Sequence, residues 1–235
     1  MTTFRTALSQ LSQAQKPKKG VSLYSRFVNR PMGRVLAAAL YRAGVGPNQV
    51  TLLSAGSTAA GIAVLLTQPP GLTSGLAVAA LLVLGFALDS ADGQVARLSG
   101  RSSPAGEWLD HVVDAGKMVA VHGAVLVAVW LRAPHEQLWL VVPLAFQLLA
   151  TVMFAGGTLV ELIKRSLPDA HASGQGQAST IRSLALLPAD YGVLALSFLF
   201  WGLPAVFQTL YGILFAANLM IATLLLSKWF RELKR

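Results

Sequence analysis

Six apolar runs, each close to the length that crosses a hydrocarbon layer, set what this 235-residue chain can become. A helix needs about 20 apolar residues to span a bilayer core, where only helices and closed barrels satisfy every backbone polar group. The runs lie near Val50–Thr67, Leu72–Val95, Ala105–Leu131, Leu138–Ile163, Ile181–Trp201 and Leu203–Phe230. Between them stand the breakers "QPPGLTSG", "GRSSP", "RAPHEQ", "LPDAHASGQGQAS" and "GLP". With 54% hydrophobic and only 12% charged residues, the chain lacks the charge that covers a soluble domain of this size. The expected fold is all-α and integral to the membrane, with six transmembrane helices.

Before the first run, Arg26, Arg30 and Arg34 recur every four residues beside Leu23, Phe27, Val28, Val35 and Leu36. That pattern predicts an amphipathic helix lying in the membrane interface ahead of the spans. Residues 1–20 read as a polar cytoplasmic tail and 21–235 as one membrane domain without an internal repeat. The tail is basic and acid-poor, which superficially resembles an organelle transit peptide, although a disordered or interfacial cytoplasmic tail accounts for it equally well. An even number of spans puts both termini on one side, and that side then carries 17 of the 19 Lys and Arg. Such asymmetry marks it as cytoplasmic. The net charge of +9 gathers in tails and loops, which suits anionic lipid headgroups and argues against a nucleic-acid partner. The chain has no cysteine, hence no disulfide and no thiolate metal ligand.

Half of the ten acids fall within "LDSADGQVARLSGRSSPAGEWLDHVVDAG", Leu88 to Gly116. Asp89 and Asp92 are spaced i,i+3 at the end of the second run, and Asp110 and Asp114 i,i+4 at the start of the third, so each pair occupies one helical face. Leu72 to Asp89 and Asp114 to Leu131 each cover about 25 Å at 1.5 Å per residue. Both pairs therefore sit at matched depth, just inside the cytoplasmic boundary. Like charges so placed repel, and desolvation adds to the cost. Divalent cations relieve both, and an all-oxygen donor set favours Mg²⁺ or Mn²⁺ over zinc. Acids that merely end helices in water, or that pair with Arg97 and Lys117, are the plainer alternative. Gly93 and Gly106 open the backbone to close approach, Ala96 is small, and Arg97 offers a cation suited to phosphate. The sum is a cradle for a phosphorylated ligand beneath lipid headgroups.

Asp89, Asp92, Gly93, Ala96, Arg97, Gly106, Asp110 and Asp114 reproduce D-x2-D-G-x2-A-R-x8-G-x3-D-x3-D, and in this the chain resembles the CDP-alcohol phosphatidyltransferases. "PNQVT", Pro47 to Thr51, is similar to a segment at the start of that family's first span. The resemblance implies a homodimeric enzyme of phospholipid biosynthesis with its active site open to the cytoplasm, and the missing disulfides, short tails and compact length point to the cell (plasma) membrane. It implies transfer of a phosphatidyl group from a CDP-alcohol, commonly CDP-diacylglycerol, to a hydroxyl acceptor such as an inositol- or glycerol-type polyol or polyol phosphate, releasing CMP. Asp89, Asp92, Asp110 and Asp114 match the ligands of two Mg²⁺ or Mn²⁺ ions, and Asp114 matches the general base. Gly93, Ala96, Arg97 and Gly106 match the nucleotide and pyrophosphate contacts. Asn48, Thr51 and Ser103 match further contacts to the CDP-alcohol, with helix capping or a turn as the alternative for each.

The acceptor is less legible. Lys164, Arg165 and Arg182 are cations placed to receive an acceptor's phosphate, or a solvated positive-inside loop. Asp190, within "LPADYG", either binds a polyol or sits at the positive end of a turn begun by Pro188. Lys117, one helical turn after Asp114, either tunes it or pairs with it. A divalent-cation transporter is the competing function, and a membrane assembly protein without chemistry the third.

Overall fold

A computed structural model describes residues 4–13, 21–132, 137–166 and 180–234, and these are helical throughout with short connections. Helix α1 is Phe4–Gln13; a π-helical turn, Ser25–Asn29, leads into α2, Arg30–Arg42. Five long helices follow: α3 Pro47–Thr67, α4 Leu72–Ser99, α5 Pro104–Arg132, α6 Val141–Ser166 and, at the end, α9 Pro204–Leu233. All five are long and apolar enough to cross a membrane, α6 together with its leading 3₁₀ turn Gln137–Leu140.

The expected run Ile181–Trp201 is not one helix. It divides into α7, Thr180–Ala185, a 3₁₀ turn at Leu187–Ala189, α8, Tyr191–Ser197, and a second 3₁₀ turn, Phe198–Phe200. Two residues explain the break. Pro188 has no N–H to continue a helix, and Asp190 caps a new one by accepting the Gly192 N–H at 2.8 Å. Hydropathy registers neither. Part of the expected tail is likewise packed: Ala7 and Leu11 of α1 are buried, Leu11 in one apolar cluster with Ala37 of α2 and Val50 of α3. The outward side of the next segment exposes Phe27, Val28, Met32 and Val35.

Helices α3 and α4 form the most extensive pair and carry the site between them and α5. They approach closely because small residues meet. A side chain at Gly85 would stand 2.6 Å from Thr58 Oγ1 and 3.2 Å from the Ser54 carbonyl. Ser54 and Ser57 donate across the seam to the Gly85 and Leu81 carbonyls, each at 2.8 Å. On α4, Leu88, Ala91 and Val95 are buried against α1, α2 and α3, which turns Asp89, Asp92 and Gly93 toward the neighbouring cavity. Gly100 ends α4 in the left-handed region, φ 63°, and so allows the short turn into α5.

The far half is an aromatic core. Phe146, Phe198, Phe207 and Tyr211 pack ring to ring, and His122 of α5 shares a 2.5 Å hydrogen bond with Tyr211 of α9. Trp201 ends the run Ile181–Trp201, where a tryptophan commonly anchors at the interface, but it is 4% exposed and packs edge-on against Phe207. Trp130 keeps the exposed position expected of an anchor. Arg132 closes this end, donating to the carbonyls of Leu66 and Gln68 at 2.8 Å each.

Candidate active site at the ends of α4 and α5

Helices α4 and α5 both pack against α3, and this brings the two acid pairs together. Asp89, Asp110 and Asp114 each offer a carboxylate oxygen, all within 4.8 Å of one another. Asp92 stands outside that trio but lines the same 330 Å³ cavity with the other three. It is 6% exposed and oriented by two donors, the Thr51 hydroxyl at 2.8 Å and its neighbour's Gly93 N–H at 2.5 Å. Three converging carboxylates with no sulfur or imidazole ligand fit a hard divalent cation of the Mg²⁺ or Mn²⁺ kind. Carboxylates gathered in one polar hollow repel one another and are stabilised by positive charge nearby.

Part of that charge is built in. Lys117 forms ion pairs with Asp89 and with Asp114, the latter at 2.7 Å, and donates to the Ser54 hydroxyl at 3.1 Å. Its side chain is only 11% exposed. One ammonium thus ties α3, α4 and α5 together beneath the cluster. An 80 Å³ hollow beside it, lined by Phe86, Met118 and Tyr191, shares Asp89 and Asp114 with the acid-lined cavity.

A second cavity of 500 Å³ opens beside the first and shares Asp92, Gly93, Arg97 and Asp110 with it. It gathers the remaining residues matched to the CDP-alcohol: Asn48, Thr51, Ala96, Ser103 and Gly106. Gly93 presents an open face, since an added Cβ would meet nothing nearer than Arg97 Nη1 at 3.6 Å. At Gly106 an added Cβ would stand 3.1 Å from Asn48 Oδ1, so the missing side chain lets α3 approach α5. The Ser103 hydroxyl accepts the Gly106 N–H at 3.1 Å, the capping geometry its position allows. Thr51 reaches the cavity chiefly through Asp92.

The four residues considered for the acceptor are dispersed. Arg165 lines the 500 Å³ cavity and pairs with Glu107 at 2.6 Å and Glu161 at 2.5 Å. Lys164 pairs with Glu232 of α9, and Arg182 is exposed on α7. Asp190 is 7% exposed, and its oxygens accept from Gly192 N–H, the hydroxyl of Ser22, and the hydroxyl and N–H of Ser25. Asp190 thus follows the turn that contains Pro188, and it caps the N-terminus of α8. Neither Lys164, Arg182 nor Asp190 borders either of the two cavities.

The sequence pattern missed the N-terminal contribution. Ser25, Asn29 and Arg30 form a wall of the 330 Å³ cavity. Burial lowers the Arg30 guanidinium from its usual pKa, yet an arginine remains charged. Its spacing with Arg26 and Arg34 points to an interface helix, and only the fold reveals that Arg30 turns toward the acids.

The family model for CDP-alcohol phosphatidyltransferase matches residues 45–229. Two solved structures of Mycobacterium tuberculosis phosphatidylinositol phosphate synthase (PgsA1) share the fold, each at 22% identity over 86% of this chain. The one with CDP-DAG bound is covered over 94% of its length with a TM-score of 0.56. The one in complex with manganese and citrate is covered over 89% with a TM-score of 0.50. No curated protein matches the sequence.

Proposed function

The chain belongs to the CDP-alcohol phosphatidyltransferase family, and from that premise we propose that it moves a phosphatidyl group from CDP-diacylglycerol to a hydroxyl of a polyol or polyol phosphate. CMP is the leaving group. The observation that carries this reading is the convergence of the signature carboxylates: Asp89, Asp110 and Asp114 within 4.8 Å, with Asp92 lining the same cavity. The choice of donor is supported by the CDP-DAG-bound neighbour, and the choice of cation by its manganese complex.

Two Mg²⁺ or Mn²⁺ ions held by Asp89, Asp92, Asp110 and Asp114 would supply the positive charge that stabilises the pyrophosphate as its bond to CMP breaks. The chain's own groups do the rest. Arg97 borders both cavities and faces phosphate oxygens from either side. Gly93 and Ala96 leave the backbone of α4 open to the nucleotide, while Asn48, Thr51, Ser103 and Gly106 close its far side. Asp114 takes the proton of the acceptor hydroxyl as that oxygen attacks the β-phosphorus. Lys117 holds one oxygen of Asp114 and so fixes the direction in which the carboxylate turns. Arg165, at the mouth of the nucleotide cavity, is the acceptor cation best placed among those in the α6–α8 region.

The wider arrangement follows the same reading. Residues 21–235 form a membrane domain in which Thr180–Phe200 makes an interrupted fifth crossing, so that six spans leave both termini and the site on the cytoplasmic face of the cell membrane. The exposed apolar side of the segment holding Phe27, Met32 and Val35 lies in the interface ahead of them. The working unit is a homodimer.

The test is CMP release from CDP-diacylglycerol in detergent with Mn²⁺, measured against a panel of alcohols that includes inositol and glycerol and their phosphates. Release that requires one alcohol identifies both reaction and acceptor. Asp114→Asn is expected to retain CDP-lipid binding and lose nearly all turnover. No release with any donor or alcohol would contradict the proposal.

A further inference from the structure

The acid-lined cavity has a wall that the signature does not contain, and that wall is held in place by a residue 165 positions further along the chain. Ser25, Asn29 and Arg30 face the four aspartates. The segment bearing them is anchored by Asp190, which begins α8. Its Oδ2 accepts from the Ser22 hydroxyl, from the Ser25 hydroxyl at 2.5 Å and from the Ser25 N–H at 3.2 Å. Its Oδ1 meanwhile holds the Gly192 N–H at 2.8 Å. Between these contacts Tyr24 stacks on Phe86 of α4, ring centres 6.4 Å apart and 11° from parallel. Tyr24 also covers Gly192 so closely that any side chain there would collide with its ring. Ser22 and Asp190 are each 7% exposed, so this is a buried polar connection in which one carboxyl group accepts four hydrogen bonds.

The clamp has a consequence for charge. It sets Arg30, the first residue of α2, against the cavity that Arg97 also borders, and the two guanidiniums are near enough to repel. Two guanidiniums on one hollow are stabilised by an anion between them, and a planar fork of donors matches phosphate oxygens in pairs. A cavity of 330 Å³ falls within the range of small-ligand sites.

We infer that Arg30 is a phosphate-binding residue of the active site and that Asp190 is a positioning residue, holding Arg30 there by fastening the N-terminal segment to α8. The inference rests on the phosphatidyl-transfer reading above. The ligand chemistry is a phosphate ester, whose source is either the β-phosphate of the CDP-alcohol or a phosphate on the acceptor.

The experiment compares wild type, Arg30→Ala, Arg30→Lys and Ser22→Ala/Ser25→Ala in detergent. Three quantities are read: equilibrium binding of CDP-diacylglycerol, binding of CMP, and inhibition of CMP release by inorganic phosphate. Arg30→Ala is expected to weaken CDP-diacylglycerol or inorganic phosphate at least tenfold, with CMP unchanged within twofold. Loss on CDP-diacylglycerol assigns Arg30 to the donor's β-phosphate, and loss on inorganic phosphate assigns it to the acceptor. Arg30→Lys keeps the charge without the fork, recovers part of the loss and serves should the alanine variant not fold. The serine pair leaves the Gly192 cap intact, reproduces part of the Arg30→Ala loss and adds nothing on top of it. Donor binding and phosphate inhibition both within twofold of wild type in Arg30→Ala and Arg30→Lys would overturn the inference. Serine-pair losses that add in full to those of Arg30→Ala would overturn the positioning role. A wild-type enzyme that releases no CMP would sink the parent reading instead, while the two binding measurements still judge Arg30.

Discussion

Replacing Lys117 by Met removes the one cation built into the base of the acid cluster while keeping a flexible chain of similar length. In the wild-type protein that ammonium, 11% exposed, is paired with both Asp89 and Asp114, whose side chains are 20% and 28% exposed. Breaking a buried ion pair by deleting one partner costs about 3–5 kcal/mol, because the other charge is left uncompensated. For a chain of this size each kcal/mol moves the unfolding midpoint by roughly 2–4 °C, so a fall on the order of 10 °C is expected in EDTA. A divalent ion brings its charge to the same carboxylates. Saturating Mn²⁺ should therefore return more than half of the loss, and the Mn²⁺-dependent rise should exceed that of wild type. For scale, a ligand at a hundred times its Kd stabilises by about 2.7 kcal/mol. The assay is thermal unfolding in detergent, followed by tryptophan fluorescence, in EDTA and in excess MnCl₂. An equal fall in both conditions, or no fall in EDTA, would refute the reasoning that Lys117 and a divalent ion neutralise the same pair of acids.

Three further outcomes follow from the geometry. Thr51→Val deletes the 2.8 Å hydroxyl bond to buried Asp92; the Mn²⁺ concentration for half-maximal CMP release should rise about tenfold or more, as removal of a group orienting a ligand does. Gly93→Ala should unfold like wild type but raise the KM for CDP-diacylglycerol, because its new methyl enters the open nucleotide face. Gly85→Ala should do the reverse in kind, lowering the unfolding midpoint through about 1–3 kcal/mol of overpacking against Thr58 and the Ser54 carbonyl; steady-state kinetics beside thermal unfolding separates the two glycines.

How much of this was readable beforehand depends on the range of the interaction. The aspartate pairs were legible because each is local: i,i+3 and i,i+4 spacing fixes one helical face, and the short turn at Gly100 keeps the end of α4 near the start of α5. Thr51 was legible as a site residue but not as the partner of Asp92, which lies 41 positions on. Asp190 stood out as an acid in an apolar run, yet its partners Ser22 and Ser25 are more than 160 positions away. Arg30 carried a signal that pointed elsewhere, since its four-residue spacing with Arg26 and Arg34 is what an interface helix needs. Trp201 followed the rule for span ends and broke it, because the interrupted α7–α8 segment folds that end back into the aromatic core. Composition records how apolar a stretch is, and Pro188 with the Asp190 cap decides whether it stays one helix.

The most direct test of the central claim, that the signature carboxylates jointly hold divalent cations, is anomalous X-ray scattering from crystals grown with Mn²⁺. The account predicts manganese density in bonding contact with Asp89, Asp110 and Asp114, and its loss in Asp110→Asn. Manganese bound elsewhere, with these side chains making only their ion pairs to Lys117, would contradict it.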